Sequence, residues 1–556
     1  MFSFTIKSIF AFVLLPPLYI LLEFVYRYYR RSLKFLKGPP RPSLLFGNEL
    51  ELTVQEDLGV LETKWFNQYG LVFRTSSCFG VISVTCNVLT DPQALRYVTM
   101  TSAYRFPKST DSAQITTLQF GRGVLSVEGG EVHLRHRKVL NPAFSATQLR
   151  QFLGLFQRTT AGLADKLQQE ELGKDGKVIN ITHWLPRATL DIIGESAFDY
   201  KFGAVEGKEN ELSEIFKHML YVQSNVSTWC PKRSLLYRAF RRSVNTPIAN
   251  LLLKFPSRQD KKMMEFSVAS KRIAKSLFDA ASKEAKLEGD TKHSKDVLSV
   301  LVRSNLAEDP KKALSEDEVL SQMATLILAG HETTASTMSW LLYEITRNPQ
   351  DQERVYQEIQ NVREHAGPGV ELTATDYDSM PFFNAVIKEA LRLHPIVPSI
   401  SREAGSDDSI PLEYPVLSES GERLSHVTVS KGQRISLNIA MYNRLTQVWG
   451  DDADTWRPER FMHDTRQDIT VGVYSNLMTF SAGVRACIGW RFALMELQAI
   501  LFCLLERFQF CPPPPDGSFR GLEDIQRVPA GLMIPMKRGN WRQGLQMPLL
   551  IKLRQR

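Results

Sequence analysis

The sequence predicts a mainly helical fold with a smaller β region, carried by one large domain behind an N-terminal membrane helix. Three observations lead there. Helical periodicity dominates from about residue 90 to Gly367, with no internal repeat. Short runs rich in Val, Ile, Thr and Phe gather at 65–90 and 405–439, separated by turn residues. An apolar run, Ile9 to Tyr26, opens the chain.

With 556 residues, 43% of them hydrophobic and 23% charged, the chain can bury a large core and is far from disorder. The cysteines, Cys78, Cys86, Cys230, Cys487, Cys503 and Cys511, show no CxxC and no zinc-finger spacing. Neither a disulfide scaffold nor a metal finger is expected, and a reducing compartment fits. The net charge of +8 is spread along the chain without a nucleic-acid motif. It points to a membrane surface or an acidic protein partner rather than to nucleic acid.

In chain order, Ile9–Tyr26 is broken by Pro16-Pro17 and Glu23 and sits at the short end of what spans a bilayer. Lys7 precedes it; Arg27, Arg30, Arg31, Lys34 and Lys37 follow, which leaves the bulk of the chain in the cytosol. A cleaved signal peptide is the rival, but no small-residue cleavage site is present. Residues 1–37 are therefore expected to be a single-pass anchor with a basic flank, and 38–556 one domain. Gly38-Pro39-Pro40-Arg41-Pro42 makes a stiff hinge between the two. Cytosolic placement makes the sequons at Asn180 and Asn225 chance matches.

From Trp65 to Thr90 the runs Leu71–Arg74 and Val81–Val84 suggest a small sheet. Gly129-Gly130-Glu131 opens a basic helix bearing His133, Arg135, Arg137 and Lys138; His133 and Arg137 share a face. Between Pro231 and Met264, basic and apolar residues mix in a way that suits either an anionic interface or a surface helix pair. Ser315-Glu316-Asp317-Glu318 is a capping box starting a long helix that reaches Asn348. Its centre, Ala329-Gly330-His331-Glu332-Thr333-Thr334, is poor helix chemistry, since a mid-helix glycine costs about 1 kcal/mol. Small residues at Leu326, Ala329, Gly330 and Thr333 mark one face, against either a large ligand or a neighbouring helix. Glu389 and Arg392 lie three apart on a helix from Pro381 to His394, and Arg460 follows later. Alternation between Gly405 and Ile439 suggests hairpins.

The chain is organised around Phe480-Ser481-Ala482-Gly483-Val484-Arg485-Ala486-Cys487-Ile488-Gly489, followed by a helix from Trp490 to Phe508. Positive charge, inward amides and a helix N-terminus all favour a thiolate at Cys487. Gly489 lets the backbone fold around the sulfur, and Gly483 lets it lie flat against something large. Arg485 suits an anionic group. A buried free cysteine before a core helix is the plain alternative.

The loop resembles the haem-binding loop of the cytochromes P450, Phe-x-x-Gly-x-Arg-x-Cys-x-Gly, at every specified position. Three further stretches resemble the same family in the expected order, and the resemblance covers roughly residues 38 to 545. It implies that family's fold and haem b with Cys487 as the iron's axial ligand, in a loop shaped by Phe480, Gly483, Arg485 and Gly489. It implies that Glu332 and Thr333 supply protons during oxygen activation. Glu389, Arg392 and Arg460 would form a buried triad under the loop. Arg137, Arg402 and Arg485 would meet the haem propionates, with His133 standing where the family usually has tryptophan.

The activity implied is monooxygenation of a lipophilic small molecule, with one oxygen atom entering the substrate and the other leaving as water. Electrons would come from NADPH through a separate cytochrome P450 reductase, with cytochrome b5 as an optional second donor. The anchor and the resemblance together place the protein in the endoplasmic reticulum membrane. Family habits suggest a terpenoid or other secondary metabolite, with fatty acids or xenobiotics next. Two other classes are a haem-thiolate isomerase or dehydratase that uses no external O2, and a non-catalytic haem carrier; the Glu332-Thr333 pair speaks against both. Apolar stretches at 106–124, at Leu326–Ala329 and at Ile396–Ile400 are the expected substrate lining.

Overall fold

The computed structural model describes residues 33–554 except 79–85, 171–172, 174, 209–230, 244–250, 252–253, 289–295, 307–308, 310–312, 464–468, 516–518, 530–531 and 541–542, together with Leu18 and Leu22. Residues 1–32 of the expected anchor and flank, the run Val81–Val84 and the sequon at Asn225 therefore lie outside the described residues, Leu18 and Leu22 apart. Among the described residues no helix is long and apolar enough to cross a membrane.

The helices used below are α1 Val60–Tyr69, α2 Thr110–Phe120, α3 Gly130–Leu140, α4 Leu153–Gln169, α5 Leu185–Phe198, α6 Pro231–Ser243, α7 Arg258–Glu288, α8 Glu316–Arg347, α9 Pro349–Ala366, α10 Pro381–Leu393 and α11 Trp490–Arg507. Strands β1 Val72–Thr75, β2 Cys86–Leu89, β4 Ser399–Glu403 and β7 Arg434–Asn438 form one sheet in the order β1-β2-β7-β4, with β2 and β7 parallel. β5 Asp408–Leu417 and β6 Arg423–Val429 make a hairpin. β3 Lys177–Asn180, β8 Phe508–Cys511 and β11 Pro548–Leu553 form a three-stranded sheet, and β9 Ile525–Pro529 pairs with β10 Met533–Lys537.

The predicted mainly helical architecture holds, with two local corrections. Trp65 to Tyr69, expected in the sheet, belongs to α1; Trp65 is buried edge-on against Phe73, with ring centroids 6.3 Å apart. There the tertiary packing of an aromatic overrides its strand propensity. Phe508 begins β8 instead of ending α11.

The long helix α8 is the axis of the domain. Its capping box is complete: Glu318 N–H donates to Ser315 Oγ at 3.3 Å, and Ser315 N–H to Glu318 Oε2 at 2.9 Å. Glu318 is held from α3 by Arg135 and by His136, whose Nε2 lies 3.3 Å from Glu318 Oε1. Arg135 is thus committed to an internal ion pair. Along α8 most side chains are buried, and α5 packs against its middle. Gly330 makes that contact possible, because a Cβ there would lie 2.7 Å from Ile193 Cδ1. The two explanations offered for the small-residue face therefore divide, with Gly330 serving helix packing. In the 231–264 segment Arg241 turns inward to a buried pair with Asp260 at 3.2 Å, while Phe240 and Phe255 stay exposed. Helix α11 docks on α4 through Phe492 and Phe156, ring centroids 5.0 Å apart. That contact fixes the helix that follows the cysteine loop.

Candidate active site

The loop before α11 turns twice against the usual backbone preference. Ser481 has φ +59° and Gly483 φ +64°, and short 3₁₀ turns cover Met478–Phe480 and Gly483–Arg485. The result is a closed lariat in which Cys487 N–H donates to the Phe480 carbonyl at 2.8 Å and Ala486 N–H to that of Gly483 at 3.1 Å. Arg137 of α3 braces it from outside, donating through Nη1 to the Ala486 carbonyl at 2.9 Å.

Of the two loop glycines, Gly483 makes a close backbone approach and Gly489 does not. A Cβ on Gly483 would sit 1.9 Å from the Thr99 carbonyl oxygen, so the close approach is to the backbone near 97–101. Gly489 has φ −89° and room for a Cβ, whose nearest neighbour would be Phe144 at 3.8 Å. Its contribution is the backbone N–H, which acts on the Cys487 thiol. Gly483→Ala should therefore destabilise the protein by about 3 kcal/mol or more, from left-handed strain plus a backbone clash. Gly489→Ala should cost far less. Equal urea midpoints for the two variants would contradict this.

Cys487 is accessible, while Ala482 and Ala486 of the same loop are buried. Burial pushes its thiol up, opposed by the Gly489 amide and the Arg137 guanidinium. Accessibility combined with desolvation marks a side chain fronting an internal opening. In the middle of α8 the same signature recurs, with Ala329 exposed and Thr333 half-buried between buried turns. The Thr333 hydroxyl donates to the Ala329 carbonyl at 2.7 Å. Glu332 is buried and lies 3.1 Å from His331 Nε2. Acid and alcohol are neighbours in sequence, yet each is occupied with a different partner.

A cationic cluster lies beside the loop. The Arg485 guanidinium is nearly buried, bonded to the Val127 carbonyl and Glu128 Oε2 at 3.3 Å each. Its Nε has no partner among the described residues. Arg402 of β4 is buried, and burial together with Arg485 pushes its pKa down to about 10. Lys108 joins them because its backbone bridges that of Arg402; burial, Arg485 and Arg402 push its pKa down to about 7. Glu128 is the carboxylate among them, pushed up by burial and opposed first by Arg485. His133 is buried with Nδ1 3.1 Å from the Tyr104 hydroxyl. Burial, with Arg485 and Arg137 nearby, pushes it down to about 3, so the ring is neutral. Lys108, Glu128 and Tyr104 were not singled out from the sequence; a lone lysine after Pro107 looks like any turn residue.

Beneath the loop the structure joins Glu389, Arg392 and Arg460. Arg392 Nε and Nη2 meet the two Glu389 oxygens at 2.8 Å each, a bidentate pair with both side chains fully buried. Arg460 Nε donates to Glu389 Oε1 at 3.1 Å, and Arg457 N–H to the same oxygen at 2.8 Å. Spare donors of Arg392 reach the Asn443 and Thr455 carbonyls at 2.8 and 3.1 Å. Asn443, missed in the sequence, carries the connection onward. Its Oδ1 accepts from Met478 N–H at 3.0 Å and its Nδ2 donates to Thr479 Oγ1 at 2.9 Å, both at the start of the loop. The expected apolar lining divides by exposure. Phe106, Phe120 and Ile396 are buried in the core, leaving Leu118, Val397 and Ile400 partly open.

Comparison with known proteins agrees with this arrangement. The family model described as Cytochrome P450 matches residues 37–537. Cytochrome P450 monooxygenase 128 of Postia placenta is 32% identical over 540 residues, covering 94% of this chain and 93% of the relative. Cytochrome P450 monooxygenase claU of Ampulloclitocybe clavipes is 30% identical, covering 94% and 93%. Ganoderic acid synthetase CYP5150L8 of Ganoderma lucidum is 32% identical, covering 80% and 82%. With a thiol fronting an internal opening, a braced cysteine loop and this match over most of its length, the chain belongs to the cytochrome P450 family and is a monooxygenase of it.

Proposed function

We propose that this protein inserts one atom of O2 into a lipophilic secondary metabolite, a terpenoid in the first instance, with Cys487 as the axial ligand of its haem. Family members are haem-thiolate enzymes with an iron centre and an axial cysteine. The observation that carries the assignment is the accessible Cys487 sulfur at the inner end of a lariat closed by Phe480 and Arg137.

The residues present fit that group. Lys108, Arg402 and Arg485 surround one carboxylate, Glu128, and the Arg485 Nε lacks an acceptor among the described residues. A cluster with excess positive charge and an orphaned donor suits an anionic edge such as a pair of propionates. Arg137 and His133 flank the same side. When bound, the haem supplies the oxidising chemistry, with thiolate donation favouring O–O cleavage.

The chain's own residues do the rest. The Gly489 amide and the Arg137 guanidinium favour the thiolate form of Cys487. Glu332 and Thr333 hold the protons that the reaction consumes. Leu118, Val397 and Ile400 give the substrate an apolar wall. The net change takes substrate, O2, NADPH and a proton to hydroxylated product, water and NADP+, with the electrons passing through a separate reductase. Fungal relatives such as the ganoderic acid synthetase support the choice of metabolite class.

Reconstitution with NADPH and a cytochrome P450 reductase should place one atom from isotope-labelled O2 in the product of a turned-over terpenoid. Thr333→Ala should lower product formed per NADPH by about tenfold or more, with the balance released as hydrogen peroxide. Product without label would sink the oxygenase reading. Unchanged coupling in Thr333→Ala would remove Thr333 from the proton path.

A further inference from the structure

A chain of buried hydrogen bonds runs from the capping box of α8 to the backbone of residues 121–128, and its donors and acceptors fit in one order. Val124 N–H lies 2.9 Å from Gln322 Oε1. A backbone amide only donates, so the Gln322 oxygen faces it and the Gln322 NH2 points the other way. There Gln322 Nε2 lies 2.6 Å from His136 Nδ1. An NH2 group also only donates, so Nδ1 is the bare nitrogen and the ring hydrogen sits on Nε2. That nitrogen lies 3.3 Å from Glu318 Oε1, which accepts. Burial raises the Glu318 carboxyl, but the Ser315 amide, Arg135 and His136 outweigh it and hold it below the usual range. At His136 burial outweighs Glu318 and pushes the ring down, so it is neutral, as the chain of bonds requires. His136 and Gln322 are both 0% exposed, so water does not compete for these contacts.

The segment at the end of this chain lies across the opening. Gly123 sits flat on α8, where a Cβ would come 2.9 Å from Thr325 Oγ1 and 3.0 Å from the Ser321 carbonyl oxygen. Four residues on, the Val127 carbonyl and then Glu128 accept from Arg485 of the cysteine loop. Residues 121–128 therefore bridge the two elements that front the opening, α8 and the loop of Cys487. Gln322 shares the face of α8 that carries Leu326, Ala329 and Thr333, at i+4, i+7 and i+11.

We propose that residues 121–128 form one wall of the substrate opening, and that His136, acting through Gln322, is the positioning residue that holds this wall in place. The proposal rests on the opening being the substrate site, and adds what fixes one side of it. Glu318 keeps the hydrogen of His136 on Nε2, and Nδ1 then satisfies the Gln322 amide in one orientation. Turned over, that amide would set its NH2 against the Val124 N–H and its oxygen against the Nδ1 lone pair, two repulsive contacts. Without His136 the amide is free to turn, and Val124 loses a fixed acceptor.

The test combines hydrogen exchange of the full-length, haem-loaded protein with spectral titration of its iron by imidazole and by 4-phenylimidazole. In His136→Phe, which keeps a ring and removes both nitrogens, exchange in residues 121–128 should quicken by about tenfold or more, with α4 unchanged. Affinity for 4-phenylimidazole relative to imidazole should rise by about fivefold or more, because the wall gives way to the larger probe. Gln322→Leu should do the same, and adding His136→Phe to it should move neither value further. His136→Gln, which accepts at one end and donates at the other, should restore both. Unchanged exchange in 121–128 overturns the proposal, as does a quickening spread over the whole chain, which a merely structural histidine would give. A loosened segment with an unchanged azole ratio overturns it too, because the segment is then no wall of the opening. Should His136→Phe fail to fold, Gln322→Leu decides by itself. If imidazole does not bind the wild-type iron, the reading of the opening falls and takes this proposal with it, an outcome distinct from the other three.

Discussion

Replacing Glu389 with alanine should cost about 3–5 kcal/mol of stability and leave little haem-loaded protein. Glu389, Arg392 and Arg460 are 0%, 0% and 7% exposed, so no solvent is available to replace the lost carboxylate. Arg392 would lose two bonds of 2.8 Å and Arg460 one of 3.1 Å, leaving two guanidinium charges in the core. The loss is comparable to much of the 5–15 kcal/mol that holds a typical domain folded. It also reaches the cysteine loop, because Arg392 fixes the Asn443 carbonyl while the Asn443 side chain fixes Met478 and Thr479. Glu389→Gln keeps the shape and one acceptor and should lose less. Arg392→Lys should behave more like the alanine variant of Glu389, since an ammonium cannot make the bidentate contact. Urea unfolding and haem content of the purified variants check the order. A Glu389→Ala protein with wild-type midpoint and haem content would show that the triad does not support the loop.

Much of this site was legible because its signals are local. The capping box at Ser315–Glu318, the end of α8 at Asn348 and the start of α3 at Gly129 are short-range chemistry, and each lies where expected. The cysteine loop is also a contiguous pattern. What escaped was either non-local or disguised. Lys108 acquires meaning only when the bridge to Arg402 carries it across almost three hundred residues of chain. Asn443 is one polar residue in a turn, and nothing near it in sequence points to Met478. Trp65 misled in the opposite way, since its strand propensity yielded to packing against Phe73. Gly483 was singled out for close backbone approach, and the structure shows such an approach to the backbone of Thr99. Its positive φ and missing Cβ accommodate Thr99.

The arginines show how far pairing depends on the fold. Arg137 was expected at a propionate, and one of its donors is already spent on the Ala486 carbonyl. Arg135 is ion-paired to the capping-box glutamate, which ties α3 to the start of α8. A basic helix on paper thus becomes a brace between the cysteine loop and the helix that carries Glu332 and Thr333.

Whether Cys487 provides the thiolate is decided by one spectrum. Serine in its place keeps the size of the side chain and removes the sulfur; its hydroxyl is too weak an acid to ionise as a thiol does. Arg137 and the Gly489 amide would then face a neutral group. The reduced wild-type protein in CO should give the long-wavelength Soret band of a thiolate-ligated haem, and Cys487→Ser should lose that band entirely. Retention of the band in Cys487→Ser would place the ligand elsewhere and contradict the assignment of the site.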